Sequence, residues 1–140
     1  MSTKAVVLDA NILIRAILGI RARTLILRHA TAVDFYSPDL AYEEALTFLP
    51  ALLRKKGADH KLAQVLLDGL QIFVKSVDLS RYAHLQDHAH QRISIRDAKD
   101  WPVLACAMTL NAPIWTEDQD FFGCGVATWT TDRIEQYFTV

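Results

Sequence analysis

The chain has 140 residues, of which 51% are hydrophobic and 22% are charged, and its formal net charge is −1. This length fits one domain spanning residues 1–140, and the composition is typical of a globular protein rather than a disordered one, with no apolar run long enough to span a membrane. The near-neutral charge excludes a general attraction to nucleic acid, so any such contact must come from local basic patches.

The amino-terminal segment and the cysteines indicate the cellular compartment. Asp9 follows only a few apolar residues, so the segment lacks the apolar core of a signal peptide or a membrane anchor. The two cysteines, Cys106 and Cys124, are too few for a disulfide framework, and their separation fits no zinc pattern. We therefore expect buried thiols and a cytoplasmic protein.

Strand-like and helical segments alternate along the first half of the chain. The predicted elements are a strand at 4–8, a helical stretch at 11–30, a strand at 31–36, a helix from about 39 to 56 and a helix at 60–69. The helical stretch is broken near Gly19. The long helix ends in a basic turn followed by Gly57, a common signal for a helix C-terminus.

The second half continues the alternation. It contains a predicted strand at 72–77, a helix at 80–92, an apolar helix at 98–110, strands at 113–116 and 126–130, and a short helix at 131–138. Strands separated by helices predict an α/β fold with a mainly parallel sheet of about five strands and helices on both faces.

Two acids lie just after the ends of predicted strands. Asp9 comes immediately after the strand at 4–8, and Asp118 follows the strand at 113–116 after one intervening residue, Glu117. Ligands of open parallel sheets bind beyond the carboxyl ends of the strands. We therefore expect both carboxylates at that edge of the sheet.

Other acids stand at the starts of predicted helices. Glu43 and Glu44 lie in the first turns of the long helix, and Asp97 and Asp100 lie at the start of the apolar helix at 98–110. Acids from separate segments that converge in space suit a hard cation, because Mg²⁺ takes oxygen ligands, usually one or two carboxylates together with phosphate. The pattern therefore indicates a carboxylate metal site.

Each acid also has a structural interpretation. Asp100 precedes a Trp-Pro pair and could cap its helix, since proline in a first turn needs no hydrogen-bond partner. Asp9 or Asn11 could cap the first helix, and Asp118 with Asp120 could form a turn. Taken singly, capping is the better interpretation for all of them except Asp9; taken together, their recurrence at matching places favours a function. The two interpretations are compatible, because a helix N-terminus stabilises a nearby carboxylate.

Four segments of the chain resemble the PIN-domain family, which includes the VapC-type toxins of bacterial toxin–antitoxin pairs. The segments are VVLDANILIRA, SPDLAYEEALTFL, RDAKDWPVLACAMTL and IWTEDQDFFGCGVATWTT, and together they cover nearly the whole chain. The resemblance implies a PIN-like three-layer α/β sandwich and a ribonuclease that depends on Mg²⁺ or Mn²⁺. It assigns the metal site and catalysis to Asp9, Glu44, Asp100 and Asp118.

The same resemblance assigns supporting roles to other residues. Glu44 is preferred to Glu43 because an apolar helix face that includes Phe48 is expected behind it. Residues in supporting or substitute positions are Asn11, Glu43, Asp97, Thr116 and Asp120. Ala10 departs from the family, which often has Thr or Ser there, and this puts one hydroxyl contact in doubt but not the metal site.

The implied reaction is hydrolysis of single-stranded RNA by water that a divalent cation activates, without a covalent nucleophile on the protein. The sequence leaves open whether one metal ion or two take part in this hydrolysis. Arg15 and Lys99 are each either a phosphate contact or a solvated charge. The implied partners are the RNA substrate, a second copy in a homodimer and, for a toxin, a small antitoxin protein; no membrane partner is expected.

Other functions remain as alternatives. A haloacid-dehalogenase-type phosphatase also has an acid after its first strand, but it needs a second Asp where this chain has Asn11. A PIN nuclease of RNA processing, or a catalytically silent PIN module that binds nucleic acid or protein, would share the fold. The tryptophans at 101, 115 and 129 could stack on bases, although packing is the default for Trp115 and Trp129.

Overall fold

Five short strands form one sheet in the computed structural model, which describes residues 4–93 and 98–140. The strands are β1 (Lys4–Leu8), β2 (Val33–Pro38), β3 (Val74–Val77), β4 (Ile114–Trp115) and β5 (Thr128–Trp129). Their order across the sheet is β3-β2-β1-β4-β5, and every neighbouring pair is parallel. The predicted mainly parallel sheet of about five strands is therefore confirmed.

Helices cover the sheet, as expected where parallel strands are joined by crossovers. They are α1 (Ala10–Leu18), α2 (Arg21–Arg28), α3 (Asp39–Lys55), α4 (Ala63–Leu70), α5 (Leu79–Tyr82), α6 (Gln86–Ile93), α7 (Trp101–Leu110) and α8 (Ile134–Phe138). Short 3₁₀ turns lie at His60–Leu62, Ala83–Leu85, Ala98–Asp100 and Gln119–Phe121. Within the described residues, no helix has both the length and the apolar character needed to cross a bilayer.

The core is densest around β1 and α7. Val6, Val7 and Leu8 of β1 are fully buried, because this central strand has a strand on each side and helices over it. In α7 the run from Val103 to Ala107 is buried, and its small residues allow the helix to pack closely on β1 and β2. Cys106 and Cys124 are free and buried, as expected.

Several element boundaries differ from the prediction, and the predicted helix at 80–92 is divided into α5, a 3₁₀ turn and α6. Three of the differences have a visible local reason. Strand β2 begins at Val33 instead of residue 31, because the amides of Ala32 and Val33 bond to the His29 carbonyl at the end of α2. Strand β3 begins at Val74 instead of residue 72 because the amide of Phe73 bonds back to α4. The last helix begins at residue 134 because the preceding residues form a turn.

The crossovers place a topological switch point between β1 and β4. From β1 the chain adds β2 and then β3 on one side, and it then returns to add β4 and β5 on the other side. The connections that leave β1 and β4 diverge there, which opens a crevice at the carboxyl edge of the sheet. The first and last of the candidate acids lie at this point.

Candidate active site

Asp9 begins the site at the carboxyl end of β1. It is the N-terminal cap of α1, where its Oδ1 accepts a hydrogen bond from the Ile12 amide at 3.0 Å, and only 6% of the residue is exposed. Its Oδ2 accepts a hydrogen bond from the Thr116 hydroxyl. Asp9 is therefore the residue that caps α1, one of the two candidates that the sequence left open, and it also borders the cavity. Each carboxylate oxygen has two lone pairs, so these bonds leave room for a cation.

Thr116 joins the ends of β1 and β4. Its side chain is fully buried, donates to Asp9 and accepts a hydrogen bond from the Asp118 amide at 2.9 Å. Asp118 in turn accepts a hydrogen bond from the Asp120 amide at 2.9 Å and starts the 3₁₀ turn at Gln119–Phe121. A buried hydroxyl therefore sets the positions of the first and the last predicted acids relative to each other.

Asp100 occupies the N-terminal cap position of α7, but its side chain does not cap the helix. The described side chain makes no capping hydrogen bond, and its backbone is already helical, with φ −83° and ψ −2°, because a 3₁₀ turn at Ala98–Asp100 precedes the helix. The capping interpretation, the better one for Asp100 taken singly, is therefore wrong. Asp100 instead lines the same cavity as Asp9 and Asp118.

The two adjacent glutamates of α3 face different cavities. Glu44 lines the cavity that Asp9, Asp100 and Asp118 also line, whereas Glu43 lines a separate one next to Tyr42. The apolar face expected behind Glu44 is only partly present. Ala45 and Leu49 are buried, but Phe48 is 56% exposed, because it lies one turn after Glu44 on the exposed face of α3.

Asp120, expected as a supporting or substitute ligand, clusters with two of the predicted metal ligands. Asp100, Asp118 and Asp120 each offer a carboxylate oxygen, and these oxygens lie within 4.8 Å of one another. All three residues are partly buried. A cluster of oxygen donors with this spacing fits a hard divalent cation such as Mg²⁺. The D-x-D spacing at 118–120, a short Asx-type turn, is the sequence signal for this proximity.

The electrostatics of the cavity also fit a cation. The pKa of Asp9 is raised to about 6, chiefly by burial and also by the charges of Asp118 and Glu44, while hydrogen bonds from Thr116 and Ile12 partly offset the rise. A buried carboxylate with negative neighbours is costly to ionise unless a positive charge compensates it. A divalent cation in this cavity would supply that charge.

The remaining described polar and charged residues predicted near the site lie at different distances from the acidic cavity. Asn11 and Lys99 line the acidic cavity and are exposed. Arg15, one turn beyond Asn11, lines a neighbouring cavity that Glu117 and Thr131 also line. Asp97 lies outside the described residues.

Not every acid at this edge of the sheet belongs to the cavity. Asp39 follows β2, and it accepts hydrogen bonds from the amides of Leu40 and Leu79 and from the Tyr82 hydroxyl. Asp78 follows β3 and caps α5 through the Ser80 amide. Position at a strand end therefore does not by itself identify a site residue, and within residues 4–93 and 98–140 Asp39 and Asp78 do not line the acidic cavity.

Comparison with known proteins gives a family and a set of similar folds. The family model of the PIN domain matches residues 7–139. A comparison with curated proteins gives no match. Among solved structures, VapBC2 from Rickettsia felis bound to a DNA fragment from its promoter contains a chain with a TM-score of 0.67 and 17% identity, covering 90% of this chain and 98% of that one.

Two further structures have similar folds. A toxin–antitoxin complex from Klebsiella pneumoniae gives a TM-score of 0.63 with 17% identity, covering 90% of this chain and 97% of that one. VapBC-1 from nontypeable Haemophilus influenzae gives a TM-score of 0.60 with 15% identity, covering 91% of this chain and 98% of that one. At these identities the likeness concerns the fold, and it extends over nearly the whole of each chain.

Proposed function

Because this chain belongs to the PIN-domain family, we propose that it is an endoribonuclease that hydrolyses phosphodiester bonds of single-stranded RNA with Mg²⁺ or Mn²⁺. The observation that carries the proposal is the convergence of Asp9, Glu44, Asp100 and Asp118 on one cavity at the switch point of the sheet. Acids from four separate segments meet there, and no single packing or capping role accounts for all of them. The whole chain, residues 1–140, is proposed to act as one domain.

The chain's own residues would prepare the site for the cation. Asp9, Asp100, Asp118 and Glu44 would hold it, with Asp120 as a further oxygen donor. When bound, such an ion lowers the pKa of a bound water and stabilises negative charge on the phosphate. The Thr116 hydroxyl orients the Asp9 carboxylate and the Asp118 backbone in advance.

The remaining polar residues suit a phosphodiester substrate. Lys99 and Asn11 line the same cavity and would bind phosphate oxygens beside the acids. Among the described residues that line this cavity, none is a serine, cysteine or histidine. Water is therefore the expected nucleophile, and a covalent enzyme intermediate of the serine or cysteine type is not expected.

We also propose that the protein is the toxin of a toxin–antitoxin pair, with a small antitoxin as its partner and the cytoplasm as its compartment. Support comes from the similar structures, one of which is described as a toxin–antitoxin complex. The product of a small neighbouring gene should copurify with the chain and suppress RNA cleavage. A neighbouring protein that leaves cleavage unchanged would favour a role in RNA processing instead.

The proposed activity is tested by cleavage of a labelled single-stranded RNA pool by the purified chain. EDTA should abolish cleavage, and excess Mn²⁺ should restore it. Undiminished cleavage in excess chelator would contradict the proposed metal dependence. RNA binding without cleavage under any metal condition would instead favour the silent binding module.

A further inference from the structure

The acidic cavity also has apolar lining residues. Besides its polar residues, the cavity is lined by Leu40, Trp101, Pro102 and Val103. A nucleotide has the same two-sided character, with an anionic phosphate on one side and a flat base on the other. The cavity therefore has a surface for each part of a nucleotide.

Trp101 is the aromatic residue among the described residues that line this cavity. It is the first residue of α7, follows Asp100 directly and lines the same cavity as the proposed metal ligands. It is partly exposed. The other two tryptophans are placed differently: Trp115 is fully buried, and Trp129 stacks on Tyr137 with ring centroids 5.8 Å apart.

The ring of Trp101 is held by aromatic neighbours. Its centroid lies 5.7 Å from that of Tyr82 and 5.8 Å from that of His90, both in tilted arrangements. Tyr82 is fully buried, and its hydroxyl donates to Asp39. An indole ordered in this way before substrate arrives loses little freedom on binding, which favours affinity.

We propose that the indole of Trp101 stacks on the base of a nucleotide that flanks the scissile phosphate. The inference rests on the proposed ribonuclease function and names the substrate contact that would place the phosphate at the acids. Stacking on an aromatic ring accepts any base, because every base has a π-face, so this contact would hold single-stranded RNA without reading its sequence. Base-paired RNA would be a poor ligand, since its bases are already stacked on their neighbours.

The test combines variants of the protein with variants of the RNA. Wild type, Trp101→Leu and Trp101→Phe are assayed with Mn²⁺ on an RNA that wild type cleaves at one mapped phosphate. Each is assayed again on RNAs in which one of the two flanking nucleotides is abasic. Trp129→Leu is the matched control, because it removes a partly buried indole that lines a different cavity.

We expect the Trp101→Leu change to raise KM by about five- to a hundred-fold with little change in kcat, as the loss of one stacked base would. The phenylalanine variant should lie between it and wild type, and the Trp129 control should behave as wild type does. One abasic position in the RNA should raise the KM of wild type by a similar factor, and it should have little further effect on the KM of Trp101→Leu. This non-additivity is the signature of a direct contact.

Two results would overturn the inference while leaving the proposed function intact. One is wild-type cleavage that is indifferent to loss of either flanking base, a result that requires no folded variant. The other is a Trp101→Leu defect of equal size on intact and abasic RNA, which would assign the indole to packing. If wild type cleaves no RNA with Mn²⁺, the proposed function itself fails, and the stacking contact fails with it.

Discussion

At the scale of single residues, the site depends on a few hydrogen bonds that the sequence suggests only in part. Thr116 was expected in a supporting position, and the structure shows that its hydroxyl contacts both Asp9 and the Asp118 amide. The roles of capping and site formation could not be separated from the sequence. Asp9 caps its helix and also faces the cavity, whereas Asp100 has the cap position without a capping bond.

The glutamate pair of α3 provides a matched test of the site. Glu44→Gln should lower kcat/KM for RNA by roughly 100-fold, since changes merely next to metal ligands already cost 10- to 100-fold. Glu43→Gln changes the same kind of side chain on the same helix but in a different cavity, and it should retain wild-type activity. Equal activity of the two variants would remove Glu44 from the site.

A second residue-scale prediction concerns stability without metal. Asp100→Asn and Asp118→Asn should melt at or above the wild-type temperature in EDTA, because each removes one negative charge from a carboxylate cluster. Asp9→Ala should be less stable by about 1 kcal/mol because it removes the cap of α1. Mg²⁺ should raise the melting temperature of wild type more than that of the Asn variants, through preferential binding to the folded state.

Thermal melts of all four proteins with EDTA and with Mg²⁺ provide the measurement. Asn variants that melt below wild type in EDTA, with no response of any protein to Mg²⁺, would show that these acids are structural.

At the scale of elements, the long periodic segments were easier to predict than the short ones. Helices α3 and α7 carry clear end signals and lie within a residue or a few of their predicted bounds. Strands β4 and β5 are only two residues long, and tertiary pairing rather than local sequence decides where they start. The beginnings of β2 and β3 were misplaced because the amides before them bond back to the preceding helices, a competition that periodicity does not show.

The loop after Asp118 offers an element-scale prediction. Gly125 has φ +91°, and a Cβ there would lie 2.7 Å from Nη1 of Arg92, which donates to the Cys124 carbonyl at 3.3 Å. Gly125→Ala should therefore lower stability by about 1 kcal/mol or more, and the melting temperature by a few degrees. The control is Gly69→Ala in α4, where no atom lies within 4 Å of the new Cβ.

The Gly69→Ala control should leave the stability of the protein unchanged or raise it, because alanine favours a helix over glycine. Melting temperatures in the order Gly69→Ala, wild type, Gly125→Ala are expected. A Gly125→Ala protein as stable as wild type would show that the loop adjusts without cost.

At the scale of the whole molecule, the sequence predicted a parallel sheet but not its strand order. The order β3-β2-β1-β4-β5 depends on which helix packs on which face, and no local pattern contains that information. It is this order that places the ends of β1 and β4 side by side. Convergence of the acids could thus be expected from their positions at strand and helix ends and from the family resemblance, whereas the adjacency of β1 and β4 became visible only in the fold.

The exterior supports a prediction about assembly. Several large apolar side chains are exposed on or near α2 and α4, among them Leu27, Val65, Ile72 and Phe73. Exposed apolar patches on small proteins commonly mark interaction surfaces, and we expect a homodimer in the absence of other partners. Light scattering at micromolar concentration should show twice the chain mass, and a species of 15.8 kDa alone would refute the dimer.

The central claim is that the carboxylates at the switch point bind a divalent cation, and anomalous diffraction from a crystal soaked in Mn²⁺ tests it most directly. We expect a Mn²⁺ peak within coordination distance of oxygens from Asp100 and Asp118, bordered by Asp9 and Glu44. The same soak of Asp118→Asn crystals should give a much weaker peak. Wild-type crystals with no peak in this cavity at saturating Mn²⁺, or with Mn²⁺ bound only elsewhere, would contradict the claim.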